Sequence, residues 1–241
     1  MGGQACILYG AAEFSRDVDF AILASPGNIA QLRAALAELG AEVIAVPPFE
    51  LKYLRRGHAV HFRASTPPEA AGLRIDVMTK MRGVDPFARL WSRRVTMEAD
   101  DGTPYEVMSL PDLVQAKKTQ RDKDWPMIRR LVEADYLNRR DDREAAVHNV
   151  RFWLRELRTP ELLIDLVSAN PAICRELKSV RPLLKFAAAG DAEALADALW
   201  QEERAEREAD RIYWKPLREE LEQLRRERAS GSAGTGRRHV E

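Results

Sequence analysis

Apolar positions follow two periods along this chain. Up to about residue 110 they come in short alternating or continuous blocks between turn signals. From about Asp141 they recur in steps of three and four, with no strand-like stretch. The first pattern predicts strands over 17–23, 41–46, 58–63 and 73–78, then a hairpin of 93–98 and 105–108 that turns at Asp100-Asp101-Gly102. Between them Ile29, Leu32, Ala35, Leu36 and Leu39 mark a helix stopped by Gly40, and short helices are expected over 4–11 and 85–91. Ser109 caps a further helix, with Asp112 answering it at the third position.

The second pattern is all helical. Val147, Val150, Trp153, Leu154 and Leu157 form one apolar face, Leu162, Leu163, Leu166 and Val167 another, and 177–189 a third. A long charged helix follows over 191–228, which Pro216 is expected to kink or interrupt. Such a helix lies exposed, contacts a protein partner, or packs across the first domain. The expected division is an α+β domain over 1–138, a helical domain over 139–228 and, from its glycine and serine content, a disordered tail over 229–241.

Composition narrows the classes. A chain of 241 residues that is 45% apolar can bury one substantial core and a second helical one. With 38 basic and 38 acidic residues it carries no net charge, so polynucleotide contact would need a local patch. Cys6 and Cys174 are too few for a disulfide scaffold or a thiolate zinc site and read as buried reduced thiols. No signal peptide and no apolar run near ~20 residues is found, which predicts a soluble, cytoplasmic chain that does not engage a membrane.

The candidate chemistry sits in the first twenty residues. Side chains alternate along a strand, so Asp17 and Asp19 share a face while Val18 and Phe20 are expected in the core. Two such carboxylates can hold a hard divalent cation. Gly2 and Gly3 let a phosphate approach the backbone at the start of a helix. A third acid, Asp76, stands mid-strand in Leu73-Arg74-Ile75-Asp76-Val77-Met78, where burial is costly unless something cationic meets it. A metal shared with Asp17 and Asp19 would do so. Lys52, Arg55 and Arg56 read either as a solvated helix face or as a contact to phosphate, and Lys80 and Arg82 as a phosphate contact or a surface pair. His58 and His61, three apart, do not share a strand face and read as structural.

These residues resemble the minimal nucleotidyltransferases of the DNA polymerase beta superfamily, whose pattern is Gly-Gly or Gly-Ser, then Asp-x-Asp, then a third acid on a neighbouring strand. More narrowly, the stretch is similar to the uncharacterised and toxin-type branch that includes the AbiEii abortive-infection proteins. The block Leu110-Pro111-Asp112-Leu113-Val114-Gln115-Ala116-Lys117 with Arg121-Asp122-Lys123-Asp124 is similar to the segment that ends the catalytic domain there. The resemblance covers about residues 2–132. It implies a mixed sheet flanked by helices, Asp17, Asp19 and Asp76 as catalytic residues and ligands of Mg2+ or Mn2+, and Gly2, Gly3, Ser15 and Lys117 as nucleotide-binding residues. The implied reaction moves a nucleoside monophosphate from a triphosphate such as ATP to an acceptor hydroxyl on RNA, protein or a small molecule. A toxin–antitoxin role extends from the same likeness. Glu13 and Ser15 stand where the family commonly has arginine and threonine: serine keeps the hydroxyl, whereas Glu13 reverses a charge. The family also places a helix and a strand ahead of its Gly-Gly, so either the native start lies upstream of Met1 or the sheet lacks an edge. Two alternatives follow: a nucleotide-binding protein of this fold without turnover, or a protein that acts on a partner through its C-terminal helices.

Overall fold

Alternation in the short strands sorts charged from apolar residues onto opposite faces of one sheet. The computed structural model describes residues 1–99, 101–141 and 147–235. It opens with helix α1 (Gly2–Leu8), strand β1 (Asp17–Ala21), helix α2 (Pro26–Glu38), strand β2 (Glu42–Val43), helix α3 (Leu51–Arg56) and strands β3 (Val60–Arg63) and β4 (Arg74–Met78). The strands form a mixed sheet in the order β1-β4-β3-β2, with β1 parallel to β4 and the other pairs antiparallel. Val60, Phe62, Ile75 and Val77 project to one face and pack on Ile29 and Leu36 of α2 and Leu54 of α3. Ser25 caps α2 by accepting from the amide of Asn28 at 3.3 Å, and Pro26 stands in the first turn, where no N–H is needed.

Two expectations change at the sheet. The strand expected over 41–46 shortens to Glu42–Val43, with one further bond from the Ile44 amide to the carbonyl of His61 at 3.0 Å, because Pro47 and Pro48 follow closely and bring no N–H to a ladder. Phe20 lies on the apolar side but is 46% exposed, since β1 has a neighbour on one flank only. The hairpin forms as expected, β5 (Val95–Glu98) against β6 (Pro104–Val107), after helix α4 (Phe87–Ser92). Of its turn, Asp100 lies outside the described residues.

Helices α5 (Leu110–Lys117), α6 (Asp124–Arg139), α7 (Val147–Glu156), α8 (Pro160–Ala169), α9 (Pro171–Leu177) and α10 (Leu184–Ala189) follow, then α11 (Ala192–Thr235). The described residues separate into two compact units. One holds Met1–Ala5, Phe14–Ser109 and the chain from Ile212 onward, and the other Cys6–Glu13 and Leu110–Arg211. The division falls at 109/110 and again at 211/212 within α11, and in the second unit α5 packs on α6 and α6 on α7. That core buries Trp153, Leu154, Leu157, Leu163, Leu184 and Leu195. It also holds an ionic group in which Glu202 accepts from Arg181 at 2.9 and 3.0 Å and from Arg158 at 2.9 Å. Cys6 and Cys174 are buried thiols outside any disulfide.

Contrary to expectation, α11 runs through Pro216 without interruption. Proline removes one backbone bond, and this helix is anchored on both sides of the loss. Leu195, Leu199 and Glu202 tie its first part into the helical unit. In the sheet unit, Glu220 takes a hydrogen bond from Arg56 and lies 2.8 Å from Nε2 of the buried His58. The helix continues to Thr235, through the first residues of the expected tail, while 236–241 lie outside the described residues. Among the described residues no helix is long and apolar enough to cross a membrane.

The ionic groups of the helical unit make an acid-lability prediction. Burial raises the Asp124 carboxyl, but the charge of Lys117, the Thr119 hydroxyl and Arg121 outweigh it and leave the pKa below its usual 3.8. A depressed folded pKa contributes stability that is complete above the unfolded value and lost as pH falls through the folded one. Urea unfolding at pH 7 should show Asp124→Asn destabilised by about 3–5 kcal/mol. The gap to wild type should narrow below about pH 4; an unchanged gap would show that Asp124 is not held as the anion.

Candidate functional site

Register places the acids. Asp19 lies opposite Asp76 and Asp17 opposite Arg74 on the parallel strands β1 and β4, and His61 of β3 lies opposite Asp76 on its other flank. Residues opposite one another share a face, so Asp17, Asp19, Arg74, Asp76 and His61 all stand on the face away from the apolar core. Neighbouring strands are only about 4.8 Å apart, which brings three carboxylates close on one surface.

The Asp76 carboxylate does not offer open oxygens to a cation. Asp76 is 7% exposed, and its carboxylate is gripped at both oxygens by Arg74, with Nε to Oδ1 at 2.9 Å and Nη2 to Oδ2 at 3.0 Å. Nδ1 of His61 lies 2.8 Å from Oδ1, and the tautomer protonated there donates to it. Burial pushes the Asp76 carboxyl up, but the bonds from His61 and Arg74 and their charges outweigh it and hold the pKa below the usual carboxylate range. The expected cationic partner of Asp76 is thus present as Arg74, within the same strand. Among the described residues no three acidic, histidine or cysteine side chains gather around one point.

The glycines are placed by close approach to these acids. Gly2 has φ of 66°, and a Cβ there would fall 1.8 Å from Oδ2 of Asp19. The amide of Gly3 donates to the same oxygen at 3.4 Å, and a Cβ on Gly3 would fall 2.3 Å from Oγ of Ser15. The Gly-Gly pair therefore lets the backbone lie against Asp19 and Ser15. The Ser15 hydroxyl donates to the carbonyl of Asp17 at 3.0 Å and fixes the turn into β1. The terminal amino group of Met1 donates to the carbonyl of Asp19 at 2.9 Å.

Lys117, the expected nucleotide-binding lysine, belongs to the helical unit and donates to Asp124 at 3.2 Å. In the basic segment of α3, Lys52 meets Glu50 and Arg56 meets Glu220. The two histidines part company. His58 is buried beside Glu220, whereas His61, expected to be structural, reaches the acid face. Sequence reasoning missed Arg74 and His61. The first was readable, because Arg74 and Asp76 stand two apart on one strand and must share a face. The second depends on the register of β3 against β4, which no local pattern reports.

Comparison of the chain with family models, with curated proteins and with solved structures finds no match. The functional reading rests on the residues themselves.

The Gly2 geometry is directly testable. Gly2→Ala combines a left-handed backbone with a clash on Asp19, whereas Gly10→Ala, with φ of 74° and open space around it, meets strain alone. Thermal unfolding should show Gly10→Ala losing about 1 kcal/mol and Gly2→Ala losing on the order of 2–3 kcal/mol. Equal losses would mean that Gly2 serves only its turn.

Proposed function

We propose that the chain is a nucleotidyltransferase of polymerase-beta type, moving a nucleoside monophosphate from a triphosphate to an acceptor hydroxyl. The observation that carries this reading is the register of Asp19 opposite Asp76 with Asp17 on the same face, beside a Gly-Gly backbone whose amide reaches Asp19. The α+β fold with a mixed sheet agrees with it, and the polymerase-beta arrangement of that sheet is part of the proposal.

The donor chemistry suits a hard divalent cation. Asp17 and Asp19 supply carboxylate oxygens from one strand face, and Asp76 can join them once Arg74 releases it. Bound Mg2+ or Mn2+ would neutralise charge on the triphosphate. The acceptor hydroxyl oxygen would attack the α-phosphorus and lose its proton to solvent, the bond from that phosphorus to the oxygen bridging to the β-phosphorus would break, and pyrophosphate would leave. Through such a cation Asp17 and Asp19 would position the triphosphate, and the amides after Gly2 would face its phosphates. Asp76, held as an anion by its hydrogen bonds, is a weak base, which favours a charge-holding role over taking the proton of the acceptor.

A second reading is a nucleotide-binding protein without turnover. It is favoured by the same grip of Arg74 and His61 on Asp76. The two separate in a single-turnover assay of label transfer from α-labelled triphosphates to cell extract, run beside equilibrium nucleotide binding. Asp76→Asn should bind nucleotide within a few-fold of wild type yet transfer label on the order of 10²–10³-fold more slowly, as for loss of one charge-stabilising contact. A wild type that binds nucleotide but labels nothing with either metal would establish the second reading. Transfer at the wild-type rate by Asp76→Asn would make Asp76 a structural carboxylate.

A further inference from the structure

We propose that the open edge of β5 is a homodimer interface, on which a second copy of this chain adds its own β5 antiparallel about Thr96. The two hairpins then form one continuous sheet. The inference stands apart from the nucleotidyltransferase reading.

The hairpin of β5 and β6 is a sheet of its own, separate from the strands that carry the acid face. A lone two-stranded ribbon is marginally stable in water. This one is exposed at most of its positions, with Val95 39% and Tyr105 47% exposed. Its two edges differ in kind. The Ala99 amide donates to the Thr103 carbonyl at 2.9 Å, and alternation from that bond gives Met97 and Val95 the ladder to Tyr105 and Val107. Thr96 and Glu98 therefore turn their amides and carbonyls away from β6. On the other edge the corresponding outward position of β6 is Pro104, opposite Glu98. Proline has no N–H to offer, so the β6 edge is blunted while the β5 edge presents donors and acceptors in turn.

The order of side chains along that edge selects a second copy. Arg94-Val95-Thr96-Met97-Glu98 reads basic, apolar, polar, apolar, acidic, and is its own complement when reversed. A two-fold axis at Thr96 sets Arg94 opposite the partner's Glu98 and Val95 opposite the partner's Met97, and each contact recurs on the far side of the axis. Opposite charges are favourable cross-strand neighbours. The backbone agrees with the side chains. In this register the Thr96 amides and carbonyls bond one another, and the Glu98 amide of each copy reaches the Arg94 carbonyl of the other. The Arg94 amide is not needed and bonds the Trp91 carbonyl at 3.4 Å. The Arg94 side chain is steadied in place, with Nε 2.6 Å from Oε2 of Glu106 and its guanidinium 4.0 Å from the centre of the Trp91 ring.

An edge this short buries less than the ~1,200 Å² of a standard interface, so the dimer is weak and is sought by sedimentation of the full chain up to about 1 mM. Wild type should dimerise over that range. Thr96→Pro removes an outward amide while leaving the bonds to β6, and should weaken the dimer by about tenfold or more. Glu98→Arg and Arg94→Glu each set like charges opposite one another and should weaken it by a similar factor. Mixed together, these two variants should associate within a few-fold of wild type, because both charge pairs are restored across the axis. Should Arg94→Glu fail to fold, amide exchange in wild type decides. Thr96 and Glu98 should exchange slowly at the top of the concentration range and fast at the bottom, while Met97 stays protected at both. A wild type monomeric throughout the range overturns the interface, as does a dimer undiminished by Thr96→Pro and Glu98→Arg. A mixture no tighter than its components, or Thr96 exchange independent of concentration, overturns it equally.

Discussion

The buried carboxylate of Asp76 constrains everything around it. A charge almost out of water in the middle of a strand is tolerated only with a paired cation, and the strand provides its own: Arg74 stands two residues away, hence on the same face, and closes on both oxygens. His61 completes the grip from the antiparallel neighbour. With that charge answered, β4 can lie between β1 and β3 and bring a row of acids to one surface. The price elsewhere is small, because the opposite face of the same strands is wholly apolar at Ile75 and Val77.

That division of faces also sets what the helices do. α2 and α3 cover the apolar side, leaving the acid side to the Gly-Gly start of α1, where the lack of Cβ atoms lets backbone lie against Asp19 and Ser15. An amide at the head of a short helix directed at a carboxylate is a modest bond at 3.4 Å.

Ion pairs recur where helices take load. Glu202 with Arg158 and Arg181 lies inside the helical unit, and Glu220 with Arg56 and His58 ties the second half of α11 to α3 within the sheet unit. In each case a glutamate on one long helix meets two cationic or imidazole partners outside that helix, and each glutamate is held below its usual titration range. For Glu202 burial opposes this and Arg181 overcomes it, while for Glu220 the bond from His58 comes first. These anchors explain how α11 continues through Pro216, a residue that by itself argues for a break.

Local pattern determined much of this protein. The alternation in 17–23, 58–63 and 73–78, the caps and the glycine stops locate the strands and most helices, because side-chain period is a property of the backbone geometry itself. The shared face of Asp17 and Asp19, and of Arg74 and Asp76, follows from the same rule. Only tertiary structure decided which strands are neighbours, and with it that Asp19 stands opposite Asp76 and that His61 belongs to the acid face. Packing likewise assigned α5 and α6 to the helical unit and carried α11 past Pro216. Register, burial and the meeting of charges from distant segments are long-range quantities, and a chain read residue by residue carries their components without their pairing.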